Sequence, residues 1–518
     1  MKKIYITLII LIGSTLAMSY LYFSNLNTKA TANNLSINAA TANGAIVFSF
    51  DNEKSFYEIL NGQDLFDQIL GKQKSNELRA IKENLAQLSN IYNEINGQKV
   101  YISLLAGQNN TIDFLISTQA KTTVDLQIAI KNMKNKLKGK GKLYQLQLND
   151  STACFLSVKD NLILISNTEN AIYNGLKSKN TSNQNFVNYI KENSLYTKNS
   201  LANLFVDFNT VPSLLKNILT TNLSGELSVF DQQDAFATLN YNFSKDRILF
   251  TGTTEIKKNN YYNLFSNITE EKIFIDAILP EKTANYTLFT VKNYVSWRKA
   301  LDKLRANEAA EIEQNITKIQ QGYGLDLNKI FTAYFKNQFV SFQLKSGEKI
   351  AALALTNGDK VHQLLLDLST EYAEPIRIFK EDKIPYYFFG EPLKKFEKPF
   401  YVIMDNYLIM ANNASSIQVF INEYQNNKLL INDENYIDLK NQLSPTATIS
   451  FYVNNRNSNS IFGKNLKPTY YTHYHSKAGF NKFSSFIYQL SGENGKFLTN
   501  FLLTNSLEKP NQFDSLSK

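Results

Sequence analysis

DNLILISNTENAI, Asp160 to Ile172, has an echo in DNYLIMANNASSI, Asp405 to Ile417. Both keep the opening Asp-Asn, an apolar run, the Asn at 167 and 412, and the Ile at 172 and 417. A short apolar run bounded by turn-forming residues predicts a buried strand, with a helix behind it through Ile172 or Ile417. Neither copy adds a reactive side chain. The stretch marks architecture, and a repeat of this kind has to be settled before any fold is assigned.

Outward from that stretch the two halves follow one order. GAIVFSF from Gly44 and NYTLFTV from Asn285 each predict a strand rich in β-formers, followed by a helix. Phe48 and Phe289, Asn52 and Asn293, Ser55 and Ser296, and Leu60 and Leu301 all lie 241 positions apart. A mainly helical stretch, Lys82 to Tyr92 or Ala309 to Gln321, leads to a hairpin turning near Gly107 or Gly347. A helix through Leu126 and Ile130, or through Val361 and Leu365, comes next. After the echoed stretch, LANLFVDFN and ATISFYVNN align Phe205 with Phe451 and Asn209 with Asn455. Two long alternating strands close each copy, Ala235 to Phe243 with Arg247 to Ile256 around Ser244-Lys245-Asp246, and Ser484 to Leu490 with Lys496 to Leu503. The expected fold class is α+β. Two similar units, 44–268 and 269–507, each form a largely antiparallel twisted sheet with helices packed on one face. A loose tail over 508–518 follows.

Lys2-Lys3 precede Ile4 to Phe23, which carries no charge and reaches spanning length. Residues 1–23 therefore read as a transmembrane helix, an uncleaved signal-anchor, and 24–43 as a flexible polar tether. The two lysines stay inside. The body then lies outside the cytoplasm, periplasmic on a single inner-membrane pass.

The 518 residues exceed one ordinary core, and 43% hydrophobic content is ample for two. A single cysteine, Cys154 in ACFLSV, excludes an intrachain disulfide and a multi-cysteine zinc site. The net charge of +9 is scattered. Its one basic cluster, Lys131 to Lys142, has no aromatic before Tyr144 and reads as a solvated loop, so no nucleic acid is expected as partner.

Chemistry is sparsely supplied. Of three histidines, His473 and His475 would share a face if THYH were extended, which makes them the metal candidates. No third ligand stands near them, so neither metal nor cofactor is expected. Gly-x-Ser-x-Gly is absent, and carboxylate pairs such as Glu371 with Glu374 read as solvated. Tyr386 and Phe388, within YYFF, and Tyr470 with Tyr471 are the possible interaction aromatics: on a strand, consecutive rings alternate faces.

Anchor, tether and a duplicated strand–helix unit together resemble bacterial membrane-anchored envelope proteins of a domain-of-unknown-function type, over about Gly44 to Leu507. The resemblance implies no activity and no site residues. The reading leans away from an enzyme. It points to a membrane-tethered extracytoplasmic module that binds another envelope protein or itself. The alternatives are a carrier or sensor of an apolar or lipid envelope ligand cradled on the concave face of each sheet, and an envelope hydrolase.

Overall fold

The computed structural model describes residues 34–61, 75–81, 83, 89–122, 137–140, 143–148, 153–177, 183–194, 200–221, 234–243, 247–257, 260–476 and 479–505. The expected anchor, residues 24–33 of the expected tether, the helix through Leu126 and Ile130, most of the Lys131 to Lys142 cluster, the Ser244-Lys245-Asp246 turn and the tail lie outside them. No helix among the described residues is long and apolar enough to cross a membrane. The described residues form two compact units that divide between Thr210 and Val211.

The first unit begins with α1 (Asn34–Ala40), β1 (Gly44–Asp51), α2 (Lys54–Asn61) and α3 (Ser89–Ile95). Its other strands are β2 (Lys99–Ala106), β3 (Ile112–Gln119), β4 (Leu137–Lys140), β5 (Leu143–Gln147), β6 (Ala153–Lys159), β7 (Leu162–Ser166) and β8 (Ala202–Asp207). α4 (Glu169–Leu176) and α5 (Gln184–Ser194) lie between β7 and β8. The sheet order is β8-β1-β2-β3-β7-β6-β5-β4, antiparallel throughout.

Two expectations change here. The end of the expected tether is α1, in which Ile37, Ala39 and Ala40 are buried. Gln119 Oε1 on β3 accepts from the Leu35 and Ser36 amides at 3.0 and 3.2 Å, satisfying donors that a helix start leaves open. Alanines that resemble linker composition are also the strongest helix formers, and their small side chains pack closely. The described part of the basic cluster, β4, is a strand rather than a loop.

The second unit opens with α6 (Val211–Ile218), β9 (Ala235–Phe243) and β10 (Arg247–Ile256). Next come β11 (Thr283–Thr290), α7 (Tyr294–Leu304), α8 (Ala309–Tyr323), α9 (Leu327–Tyr334), β12 (Phe335–Leu344), β13 (Lys349–Leu355) and α10 (Gly358–Leu365). They are followed by β14 (Ser369–Ala373), β15 (Ile376–Phe379), α11 (Ile384–Phe389), β16 (Phe400–Met404), β17 (Tyr407–Ala411), α12 (Ala414–Gln425) and α13 (Glu434–Asn441). β18 (Ile449–Asn454), α14 (Asn455–Asn465), α15 (Pro468–His475), β19 (Phe483–Glu493) and β20 (Lys496–Asn505) complete it. The order is β18-β11-β12-β13-β17-β16-β15-β14, all antiparallel. On the other side of β18 the sheet continues through β19, β20, β10 and β9.

The central strands here are packed on both faces, so the expectation of helices on one face is corrected. Every residue of β11 is buried. Tyr286, Leu288, Phe342, Ile409, Ile417 and Phe420 share one apolar cluster, into which α12 and α13 pack. On the opposite face Phe289 stacks on Phe339 at 4.8 Å, and Trp297 of α7 and Phe389 of α11 close over Phe339 at 6.2 and 5.4 Å. In the first unit, α1 and α4 contribute Ala39 and Ile172 to one cluster, and α3 contributes Ile91 and Ile95 to another.

The echoed stretch is a hairpin turn, the strand that follows it (β7 or β17) and the start of a helix (α4 or α12). Asp160 (φ 56) and Asp405 (φ 50) take the left-handed turn position that a short Asp side chain tolerates. The following Asn carbonyls accept from neighbouring chain, Ala120 N to Asn161 O at 2.8 Å and Leu355 N to Asn406 O at 2.7 Å. Ile172 and Ile417 are both fully buried.

Candidate functional site

The aromatic pair expected within YYFF sits in α11, all six residues of which are buried. Pro385 in the first turn and Gly390 just past the end (φ 78) delimit the helix. A helix of six residues leaves most of its carbonyls without internal partners. Arg305 donates to two of them, Nη1 to Tyr386 O at 2.9 Å, which also accepts from the Gly390 amide at 2.9 Å, and Nη2 to Tyr387 O at 2.8 Å. Its guanidinium also lies 5.1 Å from the Tyr386 ring, and that of Arg298 lies 5.3 Å from the Phe388 ring. Tyr386 Oη donates to Glu308 Oε2 at 2.7 Å. Burial first, then this carboxylate, push the Tyr386 hydroxyl up to about 12. Tyr386 and Phe388 are thus core residues with local partners. They do not form a docking surface.

The metal candidates fail on geometry. His473 and His475 lie on α15, where two positions apart means roughly 200° around the axis rather than a shared face. His475 Nδ1 stands 3.1 Å from Tyr471 O, and its Nε2 meets Asn459 Oδ1 on α14. Among the described residues no group of three His, Cys, Asp or Glu could hold a metal ion. Cys154 is buried.

α15 nevertheless belongs to a built surface. Its inner side is anchored to α14 by Tyr474, which donates to Asn455 O at 3.1 Å and packs against Phe462 at 4.9 Å. The Tyr471 ring lies against Gly463, where a Cβ would stand 3.3 Å away. Tyr470, Tyr471 and His473 are half-buried, and Thr469 and Thr472 are exposed. α6 joins the same surface through reciprocal main-chain bonds, Thr220 N to Asn465 O at 2.8 Å and Lys467 N to Ile218 O at 2.9 Å. Lys467 Nζ also donates to Lys216 O at 2.7 Å. The sequence reading singled out Tyr470, Tyr471 and the histidines but missed α6. The available signal was charge: no Asp or Glu occurs between Asp207 and Glu226 or between Asp438 and Glu493.

A second polar constellation lies inside. Tyr286 Oη and Tyr436 Oη are 3.0 Å apart, Tyr436 donates to Asp276 Oδ2 at 2.9 Å, and Lys440 pairs with the same carboxylate. Burial, then Asp276, raises the Tyr286 hydroxyl. Burial, then Tyr286 and Asp276, raises that of Tyr436. With Asp276 and both tyrosines buried, this chain satisfies core polar groups and offers no face to a substrate.

No protein-family model and no curated protein matches the chain. Among solved structures, crystal form I of TP0453 aligns with 44% of this chain and 81% of its own at 11% identity and a TM-score of 0.23. A likeness at that level carries no argument.

Proposed function

We propose that this chain is a non-enzymatic, membrane-tethered extracytoplasmic protein of the bacterial envelope, built from an internal duplication, that binds another envelope protein or a second copy of itself. One observation carries the tethering: the uncharged run Ile4 to Phe23 behind Lys2-Lys3, with the folded body starting at Asn34. Residues 24–33 can span at most about 35 Å even when fully extended. The body is then held close to the bilayer, where a weak surface contact gains a high effective concentration.

Three features support the duplication. β8-β1-β2-β3-β7-β6-β5-β4 and β18-β11-β12-β13-β17-β16-β15-β14 place successive strands in the same order. α6 follows β8 as α14 follows β18. The bonds joining Ile218 and Thr220 to Asn465 and Lys467 are reciprocal between positions 247 apart, as a pseudo-twofold axis requires.

Protease treatment of intact and permeabilised cells tests the location. Digestion of the body without permeabilising the inner membrane is the expected result, and deletion of residues 1–33 should leave the body soluble and protected. Protection of the body in the full chain would overturn the reading. Gentle crosslinking of the full chain should recover a self-adduct or a second envelope protein, and recovery of neither counts against the binding role.

A further inference from the structure

We propose that the surface formed by α6, α14 and α15 is a docking face for an anionic lipid bilayer. The proposal deepens the membrane-tethered reading and rests on it. Two segments without a carboxylate, one on each side of a long stretch of chain, are clamped together where Leu219 bridges to Leu466. Lys216 and Lys464 are exposed in the last turns of α6 and α14, and Lys467 opens the link to α15. Each helix end favours a cation there, so the charges are held in place before any lipid arrives. Tyr470, Tyr471 and His473 lie half-buried beside them. Lysine mixed with tyrosine is the composition that settles at a headgroup layer. Among the described residues, Glu281 stands at the far end of this surface: Asn457, in the first turn of α14, donates to Glu281 O at 2.8 Å. Lys345, whose carbonyl accepts from Ser460 at 2.9 Å, stands beside the same helix.

A single-stranded nucleic acid fits less well. Base stacking needs open ring faces, whereas the Tyr471 ring is packed against Gly463 and lies 4.1 Å from the His475 ring, and Tyr474 is buried. Exposed lysines with half-buried tyrosines suit a bilayer surface better.

The test uses the full chain carrying Thr472→Cys labelled with a polarity-sensitive fluorophore, since the natural Cys154 is buried. Vesicles of phosphatidylcholine alone are compared with vesicles containing phosphatidylglycerol. The expected result is a blue shift on the anionic vesicles only, reversed by high salt. Lys216→Gln with Lys464→Gln should weaken the response about 25-fold, at roughly fivefold per lysine. Circular dichroism confirms that the exposed substitutions leave the fold intact. Equal emission on both lipids, or an unchanged shift in Lys216→Glu with Lys464→Glu, overturns the proposal. So does a response to a single-stranded oligonucleotide in place of the anionic vesicles. Flotation with phosphatidylcholine vesicles reads the anchor separately. A chain that floats with a silent label sinks the docking face alone, and one that does not float yet responds to phosphatidylglycerol sinks the anchor alone.

Discussion

A Cβ on Gly358 would stand 2.0 Å from the Asp405 carbonyl oxygen, and the Gly358 amide donates to Asn406 Oδ1 at 2.9 Å. Gly358→Ala must push α10 away from the echoed turn, at a cost of about 1–3 kcal/mol. A lower urea midpoint with unchanged slope would register it, and an unchanged midpoint would refute the close approach. Arg305→Leu removes the Tyr387 carbonyl's guanidinium donor and one of the two donors to the Tyr386 carbonyl, which keeps the Gly390 amide, and the loss should be about 1–3 kcal/mol. Differential scanning calorimetry measures that loss, with an exposed lysine-to-leucine change as control. Alkaline pH acts through tyrosines. Burial and Glu308 hold Tyr386 at about 12, and burial, then Tyr92, hold Tyr57 there too. An unfolded tyrosine loses its proton near pH 10, whereas these folded ones keep theirs. Their contribution is complete below pH 10 and is lost as pH rises through about 12. Tyr386→Phe should flatten part of that fall in denaturation midpoints measured between pH 9 and pH 12. At this scale the echoed Asp-Asn turns were legible, because turn chemistry is local. Asn293 caps α7 by accepting from the Ser296 amide at 3.1 Å, as its sequence position suggests. Its counterpart Asn52 instead donates to Ile95 O at 3.0 Å, a partner 43 positions away that no local pattern reveals.

Elements were legible where polarity alternates and misleading where it does not. YYFF looked like a strand with rings on both faces, yet Pro385, Gly390 and the Arg305 guanidinium make it a short buried helix. The THYH histidines would share a face only on an extended segment, but Pro468 starts a helix that Tyr474 pins to α14. α1 looked like tether because its alanines and asparagines lack an apolar stripe. A chain beginning at Asn34 should therefore melt like the full body. One beginning at Gly44 uncovers Leu105, Leu115 and Leu164, which share a cluster with Ala39, and should lose roughly 3–5 kcal/mol. Thermal melts followed by circular dichroism separate the two, and equal midpoints would return α1 to the tether.

For the whole molecule, the division after Thr210 rather than after residue 268 has a direct cause. β10 pairs with β20 from Arg247↔Thr504 to Thr254↔Phe497, and Thr254 meets Thr499 at 2.8 Å between their hydroxyls. The strands expected to close the first unit thus belong to the same compact unit as residues 269–507. A fragment of residues 211–507 should unfold cooperatively. One of 269–507, which loses β9, β10 and α6, should not, and calorimetry of the two decides. The sequence by itself determined the α+β class, the order of most strands and helices, and the turns between them. Those features rest on periodicity, turn residues and hydropathy within short windows. Only the tertiary structure decided that the central strands of the second unit are covered on both faces, that the YYFF aromatics are core, and that α6 meets α14 and α15 in a surface poor in acids among the described residues. These outcomes depend on contacts between residues up to about 250 positions apart, and such contacts leave no local signature in the chain.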